Sequence, residues 1–509
     1  MKILINIKSK FIIMLNNKNK DFLGKFFFVL GIIFLFYLLI SPLNHLICQI
    51  DEYFTRTVLL LPVNDIITVT GTDVHPPLYY LMGKVVVELS TFLGIDMLHG
   101  LKLLSIVPYI LILIISSTKI RKEYGWFTAG LFAFALAVMC EFSRYYLIGR
   151  MYSWAVLFIL LAFLYFRDII YDESNKKSWV LLTLFSLLGA YTHYFAAISA
   201  FCIYLILLFY IIKFKKEELK NWIISVVVAV ALYLPWAHYL MIQLAHVQKG
   251  YWITPVTLEK VIVFFGYYAY NSEVLTGIVA ILFLIAFVII YAKELKNIDK
   301  KDHFFILSGF GIYLGTIVLG ITISFLFRPI IDDRYLMPGA ALLWLVTSII
   351  LSKIENKKLF LISLVLISIL LISGVANTIN TYDADYHNGL IRNEIFDNIT
   401  QDNNSMLIIS TNNDSLYFLS YHNQLDLYCL NSTSVFGVDM DRLHQFFDFK
   451  NVNGRDIDEL IANNSDKNVY LISWKEPKIH SQYELLHKDV FMYYVKINTT
   501  SLNSTNRTS

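Results

Sequence analysis

The stretch "FFFVLGIIFLFYLLISPLNHLIC" (Phe26 to Cys48) contains no Asp, Glu, Lys or Arg. Its apolar core runs for about 22 residues, which is the length that an α-helix needs to cross a bilayer. No small-residue cleavage site follows it, so we expect a retained anchor and not a removed signal peptide. Of the 509 residues, 57% are hydrophobic and only 16% are charged, which is too apolar a composition for a soluble core of this size. The chain is therefore predicted to be a polytopic membrane protein.

The lysines predict the side of the membrane on which each loop lies. The first residues of the chain are strongly basic, and five later segments are basic too. Those segments are "KIRKEYG" (Lys119 to Gly125), "RDIIYDESNKKS" (Arg167 to Ser178), "KFKKEELK" (Lys213 to Lys220), "KELKNIDKK" (Lys293 to Lys301) and "SKIENKK" (Ser352 to Lys358). Because basic loops stay in the cytoplasm, the N-terminus and all these segments are predicted to be cytoplasmic.

About 11 helical spans satisfy this sidedness. If Pro76 to Ile95 crossed the bilayer, "KIRKEYG" would lie outside, so this segment is predicted to be an amphipathic helix on the outer surface. Its two prolines suit the first turn of such a helix. Trp179 to Phe214 has about the length of two spans and must turn back near "YTHYF" (Tyr191 to Phe195). The predicted spans are Phe26 to Cys48, Leu101 to Thr118, Trp126 to Phe142, Met151 to Phe166, Trp179 to Tyr191, Phe195 to Phe214, Trp222 to Tyr239, Val274 to Tyr291, Phe304 to Phe327, Tyr335 to Leu351 and Leu359 to Ala376.

The composition changes after Ala376 to Asn, Asp, Ser and Tyr with short β-rich runs. Four runs are predicted to be strands and one segment, "DIDELIANN" (Asp456 to Asn464), a helix. The strands are "MLIIS" (Met406 to Ser410), "LDLYCL" (Leu425 to Leu430), "VYLISW" (Val469 to Trp474) and "VFMYYVKI" (Val490 to Ile497). We therefore predict a transmembrane domain over residues 1–376, an external α/β domain over 377–497 and a disordered tail over 498–509.

The predicted outer boundary is rich in arginine, carboxylate and histidine, whereas lysine dominates the cytoplasmic loops. It carries "DE" (Asp51 and Glu52), "TDVHPPLYY" (Thr72 to Tyr80), "SRYYLIGRMYS" (Ser143 to Ser153), "YTHYF", "QKGYWITP" (Gln248 to Pro255) and "RPIIDDRYLMP" (Arg328 to Pro338). Guanidinium groups bind phosphate through two parallel hydrogen bonds and tolerate partial burial. A carboxylate nearby can deprotonate a hydroxyl. This pattern favours a site that binds a lipid-linked phosphate and activates an alcohol from outside.

Each of these features also has a structural explanation. Asp51 is a common type of solvated helix end, and Arg144 and Arg150 suit anchors at lipid headgroups. His193 at a turn suits a structural histidine, and Trp252 suits an aromatic belt. Only the common side of the membrane favours the functional interpretation.

Two other classes of protein compete with an enzyme. A flippase for lipid-linked sugars, or another transporter, would place ionisable residues near mid-bilayer, whereas the predicted spans are nearly free of charge. A non-catalytic receptor whose external domain binds a ligand would need neither Asp51 nor the arginines.

Between Phe26 and Ala376 the motifs "DE", "DVHPPLYY", "SRYYLIGRMYS", "YTHYF", "YWITP" and "DDRYLMP" follow one another in an order that resembles glycosyltransferase family 39. This family is related to the dolichyl-phosphate-mannose protein mannosyltransferases and the aminoarabinose transferases, which have the GT-C fold. The resemblance implies transfer of one monosaccharide, with inversion, from a polyprenyl (dolichyl) phosphate to an acceptor hydroxyl on the outer face. It implies a role in building cell-envelope glycans or glycoproteins, and a juxtamembrane helix in the first external loop.

The resemblance also implies roles for individual residues. Asp51 is expected to be the general base, with Glu52 as a second acid. The residues expected to hold the donor phosphate or its lipid are His75, Arg144, Arg150, Arg334 and Tyr335. The residues expected to contact the sugar or the acceptor are Asp73, Tyr79, His193 and Trp252.

The sequence leaves a metal ion open. Asp51 and Glu52 beside a phosphate suit Mg²⁺ or Mn²⁺, but arginines that neutralise a leaving phosphate need no metal. The expected partners are a polyprenyl-phosphate sugar, an acceptor protein or envelope glycan or lipid, and membrane lipids, with no nucleic acid. The sugar, the acceptor, the oligomeric state and the role of the C-terminal domain stay open.

Overall fold

The computed structural model describes residues 17–44, 47–171, 176–269, 274–294, 298–402, 404–409, 426–430, 434–435, 438–473, 476–477, 479–488 and 492–498. The chain forms two compact units. The first comprises Met1–Asn44 and Lys102–Thr381, and the second comprises His45–Leu101 and Tyr382–Ser509. The second unit thus groups the first predicted external loop with the C-terminal domain. Of the predicted tail, only Asn498 lies among the described residues.

Helices make up most of the described chain. They are α1 (Asn17–Asn44), α2 (Ile50–Leu60), α3 (Val63–Thr72), α4 (Leu78–Phe92), α5 (Met97–Ile115), α6 (Arg121–Val138), α7 (Cys140–Leu147), α8 (Tyr152–Ile170), α9 (Lys176–Thr192), α10 (Tyr194–Phe214), α11 (Leu219–Lys249), α12 (Leu258–Gly266), α13 (Val274–Glu294), α14 (Lys300–Leu326), α15 (Met337–Lys353) and α16 (Lys357–Gln401). Each predicted span overlaps one of these helices; Trp126 to Phe142 continues past the end of α6 into α7, and Phe26 to Cys48 extends beyond the end of α1.

Within the described residues, 8 stretches are long and apolar enough to cross a membrane. One of them, Met97–Val138, contains two predicted spans. The chain bends between them at Gly125, whose φ of +79° is a conformation that favours glycine. The predicted spans on α9 and α13 are additional to these stretches. The chain is a multi-pass membrane protein, as predicted.

The predicted basic loops meet at one end of the first unit. The Lys119 ammonium lies 2.8 Å from the Asp168 carboxylate, and the Arg167 guanidinium pairs with Glu123. "KIRKEYG" is helical as far as Tyr124, however, because a π-helical turn over Ser116–Ile120 leads directly into α6, and the helix breaks at Gly125. These ion pairs neutralise Lys119 and Glu123, the charged residues of the segment that are partly buried, while Arg121 and Lys122 stay exposed.

Three further contacts extend this end of the unit. Lys215 donates to the Ile169 carbonyl at 2.7 Å, and Lys353 contacts the Asp302 carboxylate at 2.5 Å. Together with the Lys119 pair, these contacts bring four of the five predicted basic segments to the same end. The fifth, Lys293 to Lys301, is represented there by the next residue, Asp302. A common side for them is therefore consistent with the fold, and its identity as cytoplasmic stays a prediction.

Cysteine labelling tests this sidedness. Glu123 is a poor labelling position because its carboxylate pairs with Arg167, whereas Lys122 is exposed, as is Asn64 in the first predicted external loop. In a background without the 4 native cysteines, we expect an impermeant maleimide to modify Asn64→Cys in intact cells. We expect Lys122→Cys to react only after permeabilisation. Modification of Lys122→Cys in intact cells would contradict the predicted topology.

The first loop of the second unit is helical. Pro76 and Pro77 directly precede α4, in agreement with the helix predicted over Pro76 to Ile95. Tyr79, Tyr80, Gly83 and Val87 form the buried side of α4. Its other side exposes apolar residues, namely Val85, Leu89 and Phe92. This arrangement suits the predicted position along the membrane surface.

The C-terminal part of the second unit is the predicted small α/β domain. Its strands and short helices are β1 (Ser405–Ile409), β2 (Asp426–Leu430), β3 (Ser434–Val435), β4 (Val438–Asp439), α17 (Met440–Leu443), β5 (Lys450–Val452), α18 (Ile457–Asn463), β6 (Asn468–Ser473), β7 (Tyr483–Lys488) and β8 (Tyr493–Ile497). The main sheet has the order β5-β2-β1-β6-β8-β7, in which β5, β2, β1 and β6 are parallel, β8 is antiparallel to β6, and β7 is antiparallel to β8. Met406, Ile408, Leu471 and Val495 lie in its core.

Candidate active site

Arg334 lies in a short 3-10 turn, Asp333–Leu336, directly before α15. Its Nε atom is 3.2 Å from Oδ1 of Asp332, and its Nη1 donates to the Tyr145 hydroxyl at 3.3 Å. The Asp333 carboxylate accepts the backbone N–H of Arg334 at 2.8 Å. Asp332 and Tyr145 therefore fix the position of this guanidinium, and Asp333 holds the backbone that carries it.

Three aromatic rings surround the same guanidinium. Its central carbon lies 5.8 Å from the ring centre of Tyr152, 5.3 Å from that of Trp252 and 5.7 Å from that of Tyr335. Aromatic faces attract a cation and shield it from water without neutralising its charge. The Arg334 cluster comprises Asp332, Arg334, Tyr145, Tyr152, Trp252 and Tyr335. Its combination of shape and charge suits a partly desolvated anion.

His193 joins this cluster through Tyr335. The two ring centres are 4.8 Å apart, and the ring of Tyr152 lies 5.4 Å from that of His193. His193 is the one non-helical residue between α9 and α10, where the sequence predicted that the chain turns back. Its Nδ1 accepts the backbone N–H of Phe195 at 3.2 Å, so this nitrogen carries no proton. His193 therefore caps α10 as well as adjoining the cluster.

Arg144 and Arg150 belong to the same unit. Arg144 is in the last turn of α7, and Arg150 lies in the turn between α7 and α8 with 4% of its surface exposed. A third cation, Lys102 of α5, was not predicted; it is also buried and donates to the Leu147 carbonyl at 2.9 Å. Buried cations concentrated around one short segment favour a functional over a purely solvated role.

Asp332 has an unusual ionisation. Burial raises the pKa of the Asp332 carboxyl to about 7, with Arg334 opposing the rise and Asp333 adding to it. At neutral pH this carboxyl is therefore protonated in part of the molecules, and the net charge around Arg334 varies with pH. Asp332 opens the motif "DDRYLMP", but the sequence did not single it out as a site residue, because the shift depends on burial.

The predicted catalytic acids lie in the second unit, in the first turn of α2. Glu52 is fully buried, and its Oε2 accepts the backbone N–H of Gln49 at 2.8 Å, which caps the helix. Asp51 is only partly buried. A carboxylate at a helix N-terminus is stabilised by the positive end of the helix dipole. Of the two acids, Asp51 is therefore better placed to accept a proton from a substrate.

The other predicted residues of this unit follow α3. Asp73 ends that helix, and its Oδ2 lies 2.9 Å from Nδ1 of His75, which is itself buried. Tyr79, a predicted sugar or acceptor contact, is fully buried and packs edge-on against Tyr80. The Asp73 carboxylate thus orients the imidazole of His75.

A metal ion at Asp51 and Glu52 stays a prediction. Among the residues that the structure describes, no three His, Cys, Asp or Glu side chains lie together as metal ligands. One oxygen of Glu52 also caps α2. The two carboxyls alone fall short of the ligand set of Mg²⁺, so a bound donor phosphate would have to complete it.

Solved structures share this architecture. ArnT from Cupriavidus metallidurans in the apo state superimposes with a TM-score of 0.58 at 11% identity, covering 94% of this chain and 98% of that chain. The same protein bound to undecaprenyl phosphate gives 0.55 at 12% identity and the same coverage. An oligosaccharyltransferase from Archaeoglobus fulgidus, in complex with Zn and sulfate, gives only 0.43 at 11% identity over 88% of this chain and 67% of that one. The sequence matches no protein-family model and no curated protein.

The chain therefore has the GT-C fold of membrane glycosyltransferases, as the sequence motifs predicted. The match extends over both units, since it covers nearly the whole of each chain. At this level of identity the likeness establishes the fold, and the activity has to be argued from the residues of this chain.

Proposed function

We propose that the chain is a membrane glycosyltransferase that moves one monosaccharide from a polyprenyl phosphate to an acceptor hydroxyl. The observation that carries this proposal is the Arg334 cluster, in which a guanidinium is held by Asp332 and Tyr145 and surrounded by three aromatic rings. A guanidinium in such a setting suits a phosphodiester, because the planar fork matches two phosphate oxygens.

The donor phosphate binds at this cluster in our proposal. The aromatic surroundings lower the local polarity, which strengthens the attraction between the guanidinium and the phosphate. Arg150 and Arg144 of the same unit add positive charge, and a hydrogen bond from His75 to the phosphate stays a prediction. Trp252, half of whose surface is exposed, offers its ring as a surface for the sugar. ArnT bound to undecaprenyl phosphate supports a polyprenyl chain as the lipid.

The reaction is a single displacement. The oxygen of the acceptor hydroxyl forms a bond to the anomeric carbon as the bond from that carbon to the phosphate oxygen breaks. The hydroxyl proton passes to the Asp51 carboxylate, and the electron pair of the broken bond leaves with the polyprenyl phosphate, whose new charge Arg334 stabilises. Attack opposite to the leaving group inverts the anomeric configuration.

The side of the membrane follows from the lysines in our proposal. The N-terminus lies in the cytoplasm, and transfer occurs on the outer face, where the C-terminal domain also lies. Acceptors are then envelope proteins, glycans or lipids. Whether the sugar is mannose, another hexose or an amino sugar depends on contacts to its ring hydroxyls, and the motifs specify none of these.

Mass spectrometry of the cell envelope tests this function. Cells that lack the protein should lose one monosaccharide increment from a set of envelope glycoproteins or glycolipids. The wild-type gene should restore the increment and a gene encoding Asp51→Asn should not. Identical envelope profiles with and without the protein would contradict the proposal.

Donor binding is expected to depend on pH through Asp332. Its pKa is raised to about 7, so above this pH the carboxylate competes with the donor phosphate for Arg334, and below it the competition disappears. Affinity for a polyprenyl-phosphate monosaccharide should be highest below pH 7 and fall as pH rises through it, by at most about tenfold per unit. The phosphodiester keeps one charge throughout this range.

The control is Asp332→Asn, which should bind donor equally well at pH 6 and pH 8. Asp333 is engaged by the Arg334 backbone. A pH dependence that persists in Asp332→Asn would contradict the role given to Asp332.

A further inference from the structure

Three residues of α16 face the segment that carries the predicted catalytic acids. Gly389, Arg392 and Phe396 share one side of the helix because they are three and four residues apart. A Cβ atom at Gly389 would stand 1.9 Å from Cγ2 of Ile47, and the ring of Phe396 lies 6.2 Å from that of Tyr53. The backbone of α16 therefore approaches this segment as closely as only glycine permits.

Arg392 makes a polar contact on this face of α16. Only 3% of its surface is exposed, and its Nη2 donates to the Cys48 carbonyl at 3.2 Å. The guanidinium also lies beside the buried Tyr53 hydroxyl. Burial raises the pKa of Tyr53, and the charge of Arg392 opposes that rise. The contacts of Arg392 thus lie on both sides of Asp51, at Cys48 and Tyr53.

The same segment is held from the external domain. Arg442 of α17 contacts the Asp65 carboxylate of α3 through Nη2 at 2.9 Å and through Nε at 3.1 Å. Both nitrogens contact the same oxygen, Oδ2 of Asp65, and this ion pair links α17 to α3, which follows α2 directly. Residues beyond the predicted last span therefore hold both helices that follow the first span.

We infer that Arg392 is a positioning residue, which holds the start of α2 so that the Asp51 carboxylate can take the proton of the acceptor hydroxyl. This inference rests on the proposed role of Asp51, and it gives the C-terminal unit a function in catalysis. A buried guanidinium is costly unless its contacts are formed, so the segment has one preferred position. A misplacement of about 1 Å is enough to slow a positioned reaction by about 10²-fold.

Three variants test the inference. Tyr53→Phe removes the hydroxyl beside Arg392 and keeps the ring that packs on Phe396. Arg392→Lys keeps the charge, and Arg392→Met removes it. Arg455→Met is the matched control, because Arg455 is an exposed arginine of the same unit. The probe is the member of a synthetic panel of polyprenyl-phosphate monosaccharides that the wild-type protein transfers, with single-turnover rate and donor affinity measured separately.

Tyr53→Phe should slow transfer by about 3- to 10-fold and Arg392→Met by about 10- to 100-fold, both with donor affinity within about 2-fold of wild type. Arg392→Lys should recover part of the loss, and Arg455→Met should match wild type. The decisive measurement combines Tyr53→Phe or Arg392→Met with Asp51→Asn. If Arg392 acts through Asp51, the second substitution should have little further effect in the Asp51→Asn background.

The outcomes separate this inference from the proposed function. Failure of Asp51→Asn to slow transfer would remove the proposed base, and with it the basis of the inference. A different result would overturn the positioning role alone. In it, Asp51→Asn slows transfer, and adding Tyr53→Phe or Arg392→Met slows it again by the same factor as in the wild-type background. Wild-type transfer by Tyr53→Phe together with weakened donor binding by Arg392→Met would also overturn it, and would place Arg392 in donor binding.

Discussion

Asp51→Asn is expected to lower single-turnover sugar transfer by at least about two orders of magnitude, with membrane insertion and donor binding unchanged. The substitution keeps the size of the side chain and removes the proton acceptor. An alcohol is a poor nucleophile at neutral pH, and a positioned base typically contributes about 10² to 10⁴ in rate. The measurement is single-turnover transfer beside a separate donor-binding assay.

Glu52→Gln is the matched control for this prediction. Its carboxylate caps α2 through the Gln49 N–H, and a glutamine oxygen can accept the same hydrogen bond, so we expect a much smaller loss. Near-wild-type transfer by Asp51→Asn would remove Asp51 as the base. If Glu52→Gln were the inactive variant instead, the roles of the two acids would have to be exchanged.

Arg334→Lys should weaken donor binding by about 10- to 100-fold although the charge is kept. The ammonium can make only one strong contact with the phosphate and does not reproduce the planar contact with the surrounding rings. Loss of one charge-assisted hydrogen bond corresponds to about 1.5 to 3 kcal/mol, which is the basis of this range. The loss should appear in KM and in the dissociation constant of the donor.

Arg328→Lys provides the comparison for Arg334. Arg328 is six positions earlier and donates to the Gln248 carbonyl at 2.5 Å; none of its described contacts involves the aromatic rings of the Arg334 cluster. We expect the donor affinity of the Arg328→Lys variant to stay within about 2-fold of wild type, because substitution of a surface contact usually has a small effect. If Arg334→Lys bound the donor as tightly as Arg328→Lys does, Arg334 would be an interfacial anchor and not a phosphate ligand.

The sequence predicted the membrane helices well because hydrophobic length and lysine position are local properties. It also predicted the helix after Pro76 and the strands now seen as β1, β2, β6 and β8. It did not predict the helical course of "KIRKEYG", because a run of charges resembles a loop until its partners are known. Here the partners are Asp168 and Arg167, more than 40 residues away in the chain.

The candidate site was predictable only in part. Arg334, Tyr335, His193 and Trp252 came from separate motifs, and the structure brings these four together. Their roles stay predictions until variants are measured. Asp332 lies in the motif "DDRYLMP" but was not predicted as a site residue, since the property that singles it out depends on burial.

Arg392 escaped prediction for a related reason. The sequence placed the end of the last span near Ala376, whereas α16 continues to Gln401. An arginine in a polar stretch after a span ordinarily belongs to a solvated face. Its contact with Cys48 joins residues that are 344 positions apart, a separation that no periodic pattern of one sequence reveals.

Sugar transfer in detergent tests the central claim most directly. Purified protein in micelles is given labelled polyprenyl-phosphate monosaccharides and an envelope extract from cells that lack it. A detergent micelle does not separate two aqueous compartments, so a flippase cannot move a lipid from one to the other. A receptor binds its ligand without converting it into a product. We predict that label moves to an acceptor with inverted anomeric configuration and that polyprenyl phosphate is released in equal amount. We predict that Asp51→Asn and Arg334→Lys reduce both. Intact donor after incubation with every sugar of the panel, or transfer that is equal in the wild type and in Asp51→Asn, would contradict the account.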